Sequence, residues 1–348
     1  MKLWQGVLGV VAALLSGCAT LGYYGQAARG QVEILLGRRS FAEVIADPAS
    51  PPELRRKLAL ARDARAFAVR ELALPDNARD LRYTELHRPF VVWNVFAAPA
   101  LSLAPIESCF PIVGCLSYRG YFRETKARAH AAKLAAQGAD VYVGGVAAYS
   151  TLGWFSDPLL NTMLVWDDRR LVKTLFHELA HQRVYFPGDT AFNESFAMAV
   201  ADLGYARWRA SRGETPAADE EERRDEALIE LLIRHRDALQ ALYARADLDD
   251  AAKLVAKHTQ FAALAADYLA LKSNWHGDTS YDRWMSEDMN NAKLASIATY
   301  HEGVPGFLAL FTQCGESFAE FYRRVEAMKG ETKEARAEAL DVLARGQS

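Results

Sequence analysis

Two histidines four residues apart, with a glutamate beside the first, constrain this 348-residue chain more than any other feature. The run is His177-Glu178-Leu179-Ala180-His181. Residues i and i+4 of an α-helix lie on the same face, so both imidazoles can reach one metal ion. Glu178 is rotated away from the pair but stays close enough to hold a water on that metal. The pattern H-E-x-x-H is typical of a zinc site in which the carboxylate takes a proton from the attacking water.

The alternative is an amphipathic helix that carries two structural histidines. The neighbours of the motif favour the metal site, because they are apolar on several sides and therefore predict a buried helix. These neighbours are Leu171, Val172, Leu175, Phe176, Leu179, Ala180 and Val184. Buried imidazoles need partners. Pro187-Gly188 marks the end of the helix.

A catalytic zinc site needs a third protein ligand and an open fourth position. Asp189-Thr190 can cap a second helix, and Glu194 then lies in its early turns, thirteen residues after His181. A short Pro-Gly turn folds this helix back beside the first. The sequence therefore predicts one Zn²⁺ held by His177, His181 and Glu194, with Glu178 as the catalytic base.

The run Asn193-Glu194-Ser195-Phe196-Ala197 resembles the N-E-x-F-A run of the aminopeptidase-N-type zincins. The motif as a whole is similar to that of the gluzincin metallopeptidases, whose third ligand is a glutamate on the following helix. Thermolysin-like enzymes have an aspartate four residues after this ligand, where this chain has Met198. Asp202 is our candidate for that supporting role.

The N-terminus predicts a targeting segment. Residues 1–17 combine Lys2 with an apolar stretch from Val7 to Leu15 that is too short to span a bilayer. Leu15-Ser16-Gly17-Cys18 resembles the bacterial lipobox, which implies that Cys18 is lipidated and becomes the first mature residue. Ala19 in the next position implies the periplasmic side of the outer membrane. The alternative is an ordinary cleaved signal with a chance cysteine.

The remaining cysteines fit an oxidising compartment. Cys109 and Cys115 bracket Phe-Pro-Ile-Val-Gly, which predicts a small disulfide loop. A metal site made of these cysteines and a histidine stays open as an alternative. Cys314 is then a buried free thiol. The net charge of −3 with mixed signs gives no indication of a nucleic-acid surface, and we expect no nucleic-acid partner.

Hydrophobic periodicity predicts an α+β fold that is predominantly helical, and 51% hydrophobic residues suffice for a packed core. We predict helices over 23–36, 40–45, 53–74, 124–137, 220–245 and 248–271, and strands over 88–95, 140–149 and 161–166. The chain divides into the signal (1–17), a zincin-like part with the small sheet and the metal helices (18–213), and a C-terminal helical subdomain that completes the cleft (214–348).

Two further stretches are candidates for the cleft. In zincins a peptide substrate pairs with a sheet edge that precedes the metal helix, so we expect Trp154, Phe155 and Asp157 to line the substrate cleft; the aromatic residues could instead be core. Zincins also use a downstream histidine or tyrosine as an oxyanion donor. Tyr300 and His301 are the catalytic candidates, together with Tyr281, and a packed turn is the alternative. His235 and His258 are expected to be structural or surface histidines.

The whole chain resembles a family of bacterial lipoproteins described as aminopeptidases. The resemblance is carried by Tyr24, Gln26-Ala27, Gly30-Gln31, Leu36, Tyr118-Arg119-Gly120-Tyr121-Phe122, Gly153-Trp154-Phe155, Asp157-Pro158, the H-E-x-x-H run and residues 193–197. It implies a zinc metallopeptidase that acts on a peptide or protein substrate.

Exopeptidase action is the weaker expectation, because an aminopeptidase needs an acidic group for the substrate's ammonium. The aminopeptidase-N type takes this group from a G-x-M-E-N run, and the stretch Gly144-Gly145-Val146-Ala147 has no such glutamate. Asp157 or Glu124 could substitute. Two other classes stay open: a zinc-bearing lipoprotein that binds or chaperones envelope proteins without cutting them, and a structural envelope protein with a chance motif.

Overall fold

The computed structural model describes residues 22–76, 81–110, 113–148, 157–214, 220–286 and 289–346. The predicted α+β, predominantly helical fold is confirmed. The helices are residues 22–36 (α1), Phe41–Ala46 (α2), Pro52–Glu71 (α3), Glu124–Ala135 (α4), Asn161–Leu164 (α5), Asp168–Arg183 (α6), Thr190–Ser211 (α7), Glu220–Ala244 (α8), Asp250–Lys272 (α9), Asp282–Ser286 (α10), Asn291–His301 (α11), Val304–Gln313 (α12), Phe318–Ala327 (α13) and Lys333–Arg345 (α14). None of the described helices has both the length and the apolar character needed to cross a bilayer.

The strands form three small sheets. They are Arg39–Ser40 (β1), Arg82–Thr84 (β2), Val92–Pro99 (β3), Ser108–Phe110 (β4), Gly114–Leu116 (β5), Tyr118–Tyr121 (β6), Ala139–Val146 (β7) and Leu159–Leu160 (β8). The largest is antiparallel, in the order β6-β3-β7. A second sheet has the order β1-β2-β8, and β4 and β5 form a hairpin.

The central strand β3 is covered on both faces, because its side chains alternate between them. Trp93 and Val95 pack with Ala127 of α4. Phe96 and Ala98 pack with Ala292 of α11. The C-terminal half of the chain thus contributes directly to the packing of the sheet, and the division of the chain into subdomains stays a prediction.

The main core lies behind the two metal-site helices. Phe176 of α6 and Phe196 of α7 are fully buried among residues of α3, α12, α13 and α14. Phe307 and Phe321 contact Phe196 at ring-centroid distances of 5.6 and 5.8 Å. This aromatic core fixes α6 against α7.

The predicted strand over 161–166 is wrong, because this segment forms the short helix α5 after the two-residue strand β8. The polar side chains of this segment form hydrogen bonds with backbone groups that are distant in sequence. Leu86 N donates to the side chain of Asn161 (2.8 Å), and the Thr162 hydroxyl donates to Ala147 O (2.5 Å). Val165 is 78% exposed, so the apolar pattern does not mark a buried strand. The first predicted strand is displaced and lies at Val92–Pro99.

A buried ion pair links the last helix to the start of α7. Arg336 of α14 donates two hydrogen bonds to one oxygen of Asp189 (2.8 and 2.6 Å), and both side chains are buried. The other carboxylate oxygen of Asp189 accepts from Phe192 N and caps α7. We therefore expect this pair to hold the beginning of α7 in place.

Replacing Arg336 with Ala is expected to lower the free energy of unfolding by about 3–5 kcal/mol, because it leaves the carboxylate of Asp189 buried and unpaired. Urea unfolding followed by circular dichroism measures the change. Arg345→Ala, an exposed arginine at the end of the same helix, is the matched control and should have little effect. Equal losses in the two variants would contradict the assigned role.

Candidate metal centre

Local sequence signals set the two helices that carry the candidate ligands. Asp167 caps α6 by accepting a hydrogen bond from Arg170 N (2.7 Å), and Asp189 caps α7. The connection between them turns at Gly188, which has φ of +84°. The resulting antiparallel pair faces His177 and His181 of α6 toward Glu194, in the second turn of α7.

The three candidate ligands converge on one point. His177 Nε2 lies 3.1 Å from His181 Nε2 and 3.2 Å from Glu194 Oε2, and His181 Nε2 lies 3.4 Å from Glu194 Oε2. Zinc bonds to nitrogen and oxygen of about 2.0–2.2 Å in a tetrahedral site put ligand atoms about 3.3 Å apart. The donor set and its spacing therefore fit a zinc ion.

The second ring nitrogen of His181 lacks, among the described residues, the hydrogen bond that orients most metal-ligating histidines. Coordination through Nε2 requires that the proton sits on Nδ1. Nδ1 of His181 is buried and has no hydrogen-bond partner among the described residues. Asp202, our candidate for a supporting carboxylate, forms an ion pair with Lys173 instead, with 2.5 Å between Oδ1 and Nζ.

The buried charges of the site compensate each other. Burial alone would raise the pKa of Glu194, but the imidazoles of His181 and His177 outweigh it and lower the pKa to about 2. Burial opposes protonation of His181, yet the Glu194 carboxylate raises the pKa of that imidazole. The site is thus built to hold a positive charge between the three side chains.

Glu178 has a different environment from Glu194. Burial raises its pKa, the two histidines oppose this rise, and the carboxylates of Glu194 and Asp157 add to it. A raised pKa brings a carboxylate closer to neutral pH, where it both accepts and returns a proton efficiently. The position beside His177 gives this base access to the point where the ligands converge.

Two tyrosines lie against the same carboxylates. The ring of Tyr300 stacks on the ring of His177 at a centroid distance of 6.3 Å. Tyr118 comes from β6 and packs in the same cluster as Ala292 of α11. Burial raises the pKa of both phenols well above 10, and Glu194 and Glu178 add to the rise, so both hydroxyls stay protonated as donors. Sequence reasoning missed Tyr118, because no local pattern connects it with the motif.

The other predicted donors have different surroundings. Burial lowers the pKa of His301 to about 4, so its imidazole is neutral; Asp202 and Lys173 are the charges that act on it most strongly, and His177 also contributes. Tyr281 donates its hydroxyl proton to Asp225. His235 is held by Asp267 (3.0 Å) and Gln260 (2.9 Å) as a structural histidine.

A cavity of about 80 Å³ adjoins Glu178, and none of the three candidate ligands is among its lining residues. Asp157 lines this cavity, as do Arg65 and Arg82, while Leu159 and Leu175 supply part of its apolar wall. Its volume holds several waters or a small side chain. The predicted cleft residues Trp154 and Phe155 lie outside the described residues.

Glu124, the other carboxylate considered for an ammonium group, is outside the cavity. It pairs with Arg128 at the exposed start of α4, with an N–O distance of 2.7 Å. Asp157 is therefore the better placed of the two carboxylates.

A disulfide hairpin holds the connection between α6 and α7. Cys109 of β4 and Cys115 of β5 are joined by a disulfide, and Cys314 is a buried free thiol, as predicted. Val113 O, at the end of the hairpin, accepts hydrogen bonds from Gly188 N (3.1 Å) and from the Tyr185 hydroxyl (3.3 Å).

The fit between hairpin and turn is close. A Cβ at Gly114 would lie 2.5 Å from Gly188 N, so a larger residue would push the two segments apart. Just after the hairpin, Ser117 N donates to the hydroxyl of Thr190, the first residue of α7 (3.2 Å). The hairpin therefore contacts the chain one turn before Glu194.

Comparison with known proteins gives one family. A family model described as "Putative aminopeptidase" matches residues 22–340, which include both metal-site helices and the cavity. No curated protein and no solved structure matches the chain.

Replacing Cys109 and Cys115 together with Ser is expected to lower the affinity for Zn²⁺ about tenfold, because a loosened hairpin no longer fixes the turn before Glu194. Competition with a chromophoric chelator measures the affinity. Cys314→Ser is the matched control and should leave it unchanged. Unaltered zinc affinity in the double variant would show that the hairpin does not position the ligand.

Proposed function

The chain belongs to the family described as "Putative aminopeptidase", and from this membership we propose that it is a zinc metallopeptidase of the gluzincin type. It hydrolyses peptide bonds in the bacterial cell envelope. The observation that carries the proposal is the convergence of His177, His181 and Glu194, with ligand atoms 3.1–3.4 Å apart, beside the half-buried carboxylate of Glu178.

His177, His181 and Glu194 would hold the zinc ion, and their side chains are only 9–12% exposed. When bound, Zn²⁺ supplies Lewis-acid chemistry, because it polarises a carbonyl oxygen and lowers the pKa of water. The donor set of two neutral imidazoles and one carboxylate is a usual one for catalytic zinc.

Glu178 acts as the general base and then as the general acid. It takes the proton of the attacking water and returns this proton to the leaving amine. Its pKa, raised by burial, supports both steps because a base near the operating pH exchanges protons most efficiently.

Tyr300 and Tyr118 are the proposed oxyanion donors. Their protonated hydroxyls are close enough to feel the charges of Glu194 and Glu178, and they can donate to the negative charge that develops on the substrate oxygen. His301 is less suited, because its surroundings are the ion pair of Asp202 and Lys173.

The cavity beside Glu178 supports action at a free amino terminus. Asp157 lies in its wall, close enough for its charge to raise the pKa of Glu178. We assign to Asp157 the binding of the substrate's ammonium group, in place of the glutamate that is absent from residues 144–147. This assignment makes the protein an aminopeptidase.

The proposed location is the periplasmic side of the outer membrane, with a lipid anchor at Cys18. This cysteine lies outside the described residues, and the proposal is supported by the lipobox-like run at residues 15–18. The described disulfide between Cys109 and Cys115 is consistent with an oxidising compartment.

Replacing Glu178 with Gln is expected to leave about one zinc ion bound per chain and to reduce peptide hydrolysis at least about 10³-fold, because the base is lost while the ligands remain. Elemental analysis and cleavage of a proteome-derived peptide library measure the two quantities. Glu230→Gln, an exposed glutamate of α8, is the control.

Each other outcome favours a different class of protein. Wild-type hydrolysis by the Glu178 variant would refute the assigned base. Zinc without turnover on any peptide would favour a non-catalytic binding or chaperoning lipoprotein. Absence of stoichiometric zinc after purification would favour a structural protein with a chance motif.

Replacing Tyr300 or Tyr118 with Phe is expected to lower kcat by about 10²-fold while KM changes little, because each hydroxyl donates only to the developing charge. Steady-state kinetics on the best library peptide measures both constants. Tyr281→Phe should keep the wild-type kcat, since that hydroxyl is bonded to Asp225. A loss of kcat in the Tyr281 variant alone would overturn the assignment.

A further inference from the structure

Helix α1 presents an apolar row to solvent. Tyr24, Ala28, Val32 and Leu36 recur every four residues and therefore lie in one line along the helix. Tyr24, Val32 and Leu36 are 44%, 51% and 82% exposed, and Ala28 is exposed as well. Such a row is costly to leave in water and is typical of a contact surface.

The row cannot turn inward, because the opposite face of α1 is fixed. Ile34 is buried with Phe122 and Leu160, and its carbonyl accepts a hydrogen bond from the Thr84 hydroxyl (3.1 Å). A Cβ at Gly30 would lie 2.2 Å from the ring of Phe122, so the helix packs as closely as its backbone allows.

The charges near the row suit an anionic surface. Arg29 and Arg38 are exposed on α1 and just after it. Glu33, the acidic residue on the exposed side, is neutralised by Arg88 at 2.8 Å. Each basic residue near a phospholipid surface with negative headgroups contributes about 1 kcal/mol to the free energy of binding.

The position of α1 in the chain identifies the surface. Cys18, the proposed lipid anchor, precedes residue 22 by four residues. An extended chain spans at most about 3.6 Å per residue, so acylation at Cys18 keeps the start of α1 within about 14 Å of the bilayer surface. We propose that the row Tyr24, Ala28, Val32 and Leu36 lies on an anionic phospholipid surface, as a second membrane contact beside the acyl chains.

This contact would orient the site relative to the membrane. α1 is bonded to Thr84 of β2 and packs on Leu160 of β8. The neighbouring residues Arg82 and Leu159 of the same two strands line the cavity beside Glu178. A helix lying on the bilayer therefore holds the cavity at a fixed height above it, where the acyl chains alone would allow free rotation.

The experiment uses residues 18–348 with the substitution Cys18→Ser, so that the protein carries no acyl chain. This parent protein is mixed with vesicles of phosphatidylethanolamine and phosphatidylglycerol. Flotation should show reversible binding, and Leu36→Asp together with Val32→Asp should weaken it about tenfold or more. Leu269→Asp, at a similarly exposed apolar residue of α9, is the matched control and should bind like the parent.

The proposal is overturned if the parent does not bind these vesicles, or if the α1 and α9 variants bind equally well. Self-association in sedimentation velocity that the α1 substitutions abolish, without vesicle binding, would assign the row to a second copy of this chain. Mass spectrometry of the natural protein tests acylation of Cys18 separately, and peptide hydrolysis tests the proposed activity, so these failures are distinguishable.

Discussion

The contact between α6 and α7 is the interaction on which the rest of the structure depends. It brings the carboxylate of Glu194 into a buried position, which is unfavourable unless opposite charge faces it. The imidazoles of His177 and His181 meet this need in the protein alone, and a zinc ion would meet it more fully. The aromatic packing of Phe176 and Phe196 supplies the apolar burial that holds the helices together.

The turn between these helices is held by parts of the chain that are remote in sequence. The disulfide hairpin contacts Gly188 through Val113 O, and Arg336 of α14 pairs with Asp189. Both contacts are made by residues that lie one or two helical turns before Glu194 in the chain. A ligand set held from several sides keeps its geometry when no ion is bound, and such preorganisation favours catalysis.

Glu178 connects the ligand cluster with the adjoining cavity. Its charge interacts with His177, His181 and Glu194, and its side chain borders the cavity that Asp157 also lines. Tyr300 and Tyr118 approach the cluster from α11 and from β6. The proposed chemistry thus places the general base next to both the candidate ligands and the cavity assigned to the substrate's amino terminus.

The sequence alone determined the features that depend on neighbours along the chain. Helix periodicity, the cap at Asp189 and the Pro187-Gly188 turn predict α6 and α7, and the i,i+4 rule pairs the two histidines. Tertiary structure decided what depends on distant contacts. Residues 161–164 are helical because Leu86 and Ala147 bond their side chains, and Tyr118 reaches the site because Ser117 bonds to Thr190. Such contacts leave no periodic trace in the sequence, since each joins residues that are 15 to 75 positions apart in the chain.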